Sequence, residues 1–175
     1  MTTTVLPAVF ETRSWAHRAL GALDHGVTAL LLLAVGTMVT VVSAQVLLRY
    51  GFNRSIDWAD EVSRLAFVWS IFLAVPLGVR QGAHIGIDLV VLKCAPVVQR
   101  ALRRAAATVS AAMMAAIAWA AWGVAREQWD ELMSTLDWSV GWFIVPVGLG
   151  AALSALHLAR IAVEGPPVAP PGGAE

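Results

Sequence analysis

The sequence predicts an all-α integral membrane protein of four transmembrane helices, with both ends in the cytoplasm and an interfacial segment between helices 2 and 3. Three observations carry this. Apolar residues make up 58% and charged residues 14% of the 175 positions, against about 45–50% and 25% in a soluble domain, and mean hydropathy is +0.71. The apolar residues fall in long blocks without charge, where a soluble core would spread them at helical or strand period through a charged chain. Lys and Arg are also divided unequally among the segments between those blocks.

The first block, 26–48, is uncharged throughout and makes about 34 Å of helix at 1.5 Å per residue, enough for a hydrocarbon core of about 30 Å. Val42-Ser43-Ala44 before Gln45 resembles a leader cleavage site, but a leader's apolar region is shorter, about 7–15 residues, so the block reads as a retained span. The second uncharged run, 65–79, is too short alone. It crosses only if the turns from Trp58 belong to the helix, with Asp57 as N-cap and Asp60 in the first turn, giving a span over 58–80. Pro76 inside it removes the bond to the Phe72 carbonyl. The third span, 100–126, sits in a longer pattern from Pro96 towards Leu132. The fourth, 138–160, is interrupted only by His157 before Arg160 marks its boundary, and Gly165-Pro166-Pro167 stops it. Residues 1–25 read as a cytoplasmic tail, 26–162 as the membrane domain and 163–175 as a disordered tail.

Orientation follows from Lys and Arg in short segments. The N-terminal tail, the 80–104 loop and the C-terminal tail hold two, five and one; the 49–64 and 126–137 loops hold three and one. The richer set belongs inside. The outer loops then carry Asp57, Asp60, Glu61, Glu127, Asp130, Glu131 and Asp137, and Trp119, Trp122, Trp129, Trp138 and Trp142 gather near the second of them as an interfacial belt.

Composition excludes several functions. Twelve basic and twelve acidic residues cancel, so nothing global favours nucleic acid. Spans one, three and four lack any carboxylate or lysine, whereas a transporter with its own site buries ionisable groups near the midplane. Ser43, Gln45, Thr108 and Ser110 read as helix-packing residues. The lone Cys94 reads as a small apolar filler, and Gly82 and Gly86 as loop breakers. His25, His84 and His157 all fall near the cytoplasmic side, which raises a haem held between two of them, but no pair lies at matching depth on facing helices. The sequence therefore predicts no enzyme activity, no cofactor and no metal.

The most informative stretch is Arg49 to Asp88. Asp60 and Arg64 stand at ion-pair spacing on one helix face, and Arg49 reaches the same interface from the first span. The plain reading is structural: Arg49 and Tyr50 anchor one helix end, Asp57 and Asp60 cap the next, and Arg64 neutralises its neighbours. The functional reading is a partner-facing surface of Trp58, Glu61 and Arg64.

These residues resemble the small membrane subunit, the DctQ type, of tripartite ATP-independent periplasmic (TRAP) transporters. The resemblance rests on Arg49-Tyr50 ending span one, on Trp58, Asp60, Glu61 and Arg64 opening span two, and on Trp69, Gly78, His84-Ile85, Pro146 and Gly148; Asp60 stands where the family commonly has Glu. It implies a scaffold subunit of a sodium-driven importer of carboxylate-type solutes. Its implied partners are a large permease subunit, a periplasmic solute-binding protein and membrane lipid. Two rivals from other classes are a membrane anchor of a redox complex, with or without haem, and a self-sufficient four-helix exporter working as a dimer.

Overall fold

The structure is a computed structural model that describes residues 12–80 and 95–164. The described chain forms α1 (Thr12–Phe52), α2 (Ala59–Arg80), α3 (Pro96–Glu127) and α4 (Gly141–Glu164). All four are long and apolar enough to cross a bilayer. The segment expected at the interface between the second and third helices, with His84, falls outside the described residues.

The helices stand in an open row. Among the described residues α1 packs on α2, α2 on α4 and α4 on α3, and α1 does not touch α3. The inner pair therefore owns the core. On α2 the buried residues Ala59, Ala66, Ser70, Leu73, Pro76 and Val79 recur at helical spacing along one face. On α4 Pro146, Gly150, Ser154, His157, Leu158 and Ile161 do the same. The edge helices bury little: Asp24 and Ala34 on α1, and Ala107, Ala121 and Ala125 on α3, among the described side chains.

Prolines and a glycine explain the inner contact. Pro76 cannot donate to the Phe72 carbonyl and Pro146 cannot donate to the Trp142 carbonyl, because proline has no N–H. Both orphaned oxygens turn to the neighbouring helix. The Trp69 indole N–H donates to the Trp142 carbonyl at 3.1 Å. The Phe72 carbonyl faces Gly150, where any Cβ would collide with it, so glycine is what allows α2 and α4 to approach. In lipid, where helices gain no hydrophobic drive from meeting, such close approach and shared polar contacts hold them together.

Several helix ends differ from the sequence reading. α1 is already helical at Thr12, inside the segment read as a tail. It ends through Asn53, which takes the left-handed conformation (φ 51°) that asparagine tolerates best after glycine. At the start of α2 the Trp58 carbonyl accepts the Val62 N–H, so Trp58 occupies the cap position read as Asp57's, and the Asp57 carboxylate has no hydrogen-bond partner among the described residues. α3 stops at Glu127, short of Leu132, and α4 starts at Gly141, after Trp138. Between them residues 128–140 fold back on themselves: the Met133 N–H donates to the Trp138 carbonyl at 2.9 Å and the Val140 N–H to the Glu131 carbonyl at 2.8 Å.

Candidate functional site

The end of the row that carries the α1–α2 and α3–α4 connections gathers most of the residues singled out in the sequence. Glu61, in the first turn of α2, reaches across to the α3–α4 loop. Its carboxylate accepts the backbone N–H groups of Ser134 at 2.8 Å, Thr135 at 3.1 Å and Leu136 at 3.1 Å, and the Thr135 hydroxyl as well. Three successive amides converging on one carboxylate form an anion nest, here filled by the chain's own side chain. Glu61 is thus a loop anchor within the molecule.

Beside it the Gln45 amide of α1 donates to the Asp60 carboxylate at 3.1 Å. Gln45, Arg49, Arg54, Asp57, Asp60 and Thr135 line a polar cleft of about 570 Å³. Arg49 and Asp60 share this cleft without an ion pair, and the expected Asp60–Arg64 pair does not form among the described residues. Arg64, Tyr50 and Trp58 stand exposed, Tyr50 at 82% and Trp58 at 44%. Trp69 is drawn inward instead. Its ring lies 6.3 Å from that of Trp142, which lies 6.0 Å from Trp129, so an aromatic chain runs from α2 through α4 to the loop. Arg49, Tyr50, Trp58, Asp60, Glu61 and Arg64 therefore share one end of the molecule, with Glu61 and Trp69 committed to internal bonds.

The opposite end holds a cluster that the sequence reading missed. Asp24 of α1 is buried, and its carboxylate meets Arg80 of α2 at 3.1 Å and His157 Nε2 of α4 at 3.1 Å. Three helices are tied at one point, and His157 is itself buried. A buried carboxylate in an apolar surround needs such partners. The signal was present: an acid just before the first uncharged block, an Arg closing the second span and a His near the end of the fourth all fall on one side of the predicted topology. Of the histidines weighed for haem, His157 has its Nε2 on Asp24, and His25 Nδ1 lies 2.6 Å from the Gly21 carbonyl of its own helix.

Comparison with known proteins adds the family. Residues 38–165 match the family described as "Tripartite ATP-independent periplasmic transporters, DctQ component". The chain is 35% identical over 91 residues to a "Putative TRAP transporter small permease protein" of Haemophilus influenzae, covering 52% of this chain and 54% of that one. It is 31% identical over 120 residues to a "C4-dicarboxylate TRAP transporter small permease protein DctQ" of Pseudomonas aeruginosa, covering 63% and 55%. A protein of Vibrio cholerae with the same description is 32% identical over 79 residues, covering 45% and 34%. The matches thus span from a third to just over half of the relatives' length. The family match takes in Glu61, Trp69, Arg80, Gly150 and His157 and leaves out Asp24. Four helices are long and apolar enough to cross a bilayer, and the chain, a multi-pass protein of the bacterial inner membrane, belongs to the DctQ-component family of TRAP transporters.

Proposed function

We propose that the chain is the scaffold subunit of a sodium-driven importer of carboxylate-type solutes, working with a large permease subunit and a periplasmic binding protein. In this reading both ends are cytoplasmic, and the Glu61-anchored loop and polar cleft face the periplasm. The names of relatives, two of which specify C4-dicarboxylate transport, support the solute class.

The open row is the observation that carries the scaffold role. In the spanning windows of α2 and α4, 28% and 33% of residues are buried, against 6% and 11% for α1 and α3. The inner pair is a finished interface. The edge helices offer long apolar faces to something else in the bilayer, and the buried charge among the described residues, Asp24, is neutralised inside the protein rather than turned to a pathway. Such a chain contributes surface and rigidity.

The test is co-purification in mild detergent. The chain is expected to bring down a much larger membrane protein, and Trp58→Ala combined with Glu61→Lys to weaken that complex, because the first removes an exposed aromatic and the second releases the loop. Isolation of the chain without a membrane partner under several mild detergents would contradict the proposal.

A further inference from the structure

A second cavity lies away from the cleft, between α3 and α4. It measures about 720 Å³. Small residues form its walls, among them Ala121, Ala125, Gly148 and Ala152; an added Cβ at Gly148 would come within 3.6 Å of the Ala121 Cβ. From Ala118 to Arg126 on α3 it runs about 12 Å at 1.5 Å per residue, close to half of a hydrocarbon core of about 30 Å. The groove is therefore one leaflet deep.

Its mouth is polar and of both signs. Arg126 and Asp130 sit there beside Trp122 and Trp129, which are 59% and 47% exposed at the level where amphipathic rings mark the lipid headgroups. The Arg126 guanidinium carbon lies over the Trp122 ring, 4.8 Å from its centroid, a cation–π contact that uses none of its N–H groups as hydrogen-bond donors. Among the described residues neither Arg126 nor Asp130 is held in an ion pair. A guanidinium presents a fork that fits phosphate oxygens, and a carboxylate accepts from an ammonium.

We propose that this groove binds a zwitterionic glycerophospholipid with a primary ammonium headgroup, of the phosphatidylethanolamine type, in the leaflet on the side of the α3–α4 loop. Arg126 holds the phosphate, Asp130 holds the ammonium, and one acyl chain lies along the alanine and glycine wall. A helix of a protein partner fits less well. It would fill one leaflet's depth and then have to desolvate a cation and an anion at the mouth, at a cost that lipid avoids because its headgroup stays wet. This inference goes beyond the subunit role and does not depend on it.

Native mass spectrometry of the purified full chain tests it, with equal amounts of phosphatidylethanolamine, phosphatidylglycerol and phosphatidylcholine added. One phosphatidylethanolamine is expected to stay bound about fivefold more tightly than phosphatidylcholine, the factor that corresponds to an exposed charge contact of about 1 kcal/mol. Arg126→Ala is expected to weaken retention of both phosphatidylethanolamine and phosphatidylglycerol. Asp130→Asn, a loop substitution with no packing role, is expected to erase the preference over phosphatidylcholine alone. Gly148→Leu is expected to empty the groove, with circular dichroism checking that the helices persist. Equal retention of all three lipids, or a preference for phosphatidylglycerol indifferent to Asp130, would overturn the assignment. So would a cross-link from a cysteine placed at Leu149 to a large membrane partner with no lipid retained.

Discussion

Two carboxylates divide the polar labour of this membrane protein. Glu61 holds the α3–α4 loop by accepting three consecutive amides, and Asp24 joins α1 to α2 and α4. The two act at opposite ends and make different predictions. Glu61→Ala removes the acceptor from an exposed nest, so hydrogen exchange at Ser134, Thr135 and Leu136 is expected to accelerate while the helices stay protected, and Glu61→Gln to fall between. Unchanged exchange at those amides would mean that the loop holds itself. Asp24→Ala strands the buried His157, and a buried polar group without its partner costs about 1–3 kcal/mol. Thermal unfolding in detergent is expected to drop by that equivalent, and Asp24→Asn, which can still accept from His157, to lose less.

At the scale of elements the two inner helices are built around what proline cannot do. Trp69 donates to the carbonyl that Pro146 leaves free, a bond whose net contribution is about 1 kcal/mol. Restoring the N–H should make the indole redundant. Trp69→Phe alone is expected to destabilise the chain by about that amount, and to cost less when Pro146→Ala is already present; a double-mutant cycle measures the coupling. Strict additivity would show that the tryptophan acts by packing alone. The same elements show what could be read in advance. The uncharged blocks were legible because charge is expensive in lipid, and Arg80 marks the end of α2 for the same reason. The turn from α3 to α4 was not, because Glu127 to Gly141 holds neither proline nor an interior glycine to punctuate it. Its shape comes from Glu61, far away in sequence. Asp60 and Arg64 illustrate the opposite case: their spacing permits an ion pair, yet Asp60 takes its bond from Gln45 of the neighbouring helix. Asp24 escaped because it lies just outside the first uncharged block, and only the depth shared by α1, α2 and α4 reveals its partners.

The whole molecule is a narrow core with wide apolar edges. α2 and α4 complete each other, while α1 and α3 show large exposed side chains such as Leu32, Leu47, Val109 and Met113 to their surroundings. That asymmetry accounts for a chain with bulk in the membrane and no described substrate site of its own. The proposed orientation is checked by fusions: reporters after Glu164 are expected to read cytoplasmic and those within 130–136 periplasmic, and a cytoplasmic signal from 130–136 would reverse it. The scaffold role is tested most directly by reconstitution in sealed vesicles with a sodium gradient and a labelled C4-dicarboxylate. Vesicles containing this chain alone are expected to show no uptake, and vesicles containing the large subunit, the binding protein and this chain to show it. Uptake by the chain alone, or undiminished uptake by the other two components without it, would contradict the account.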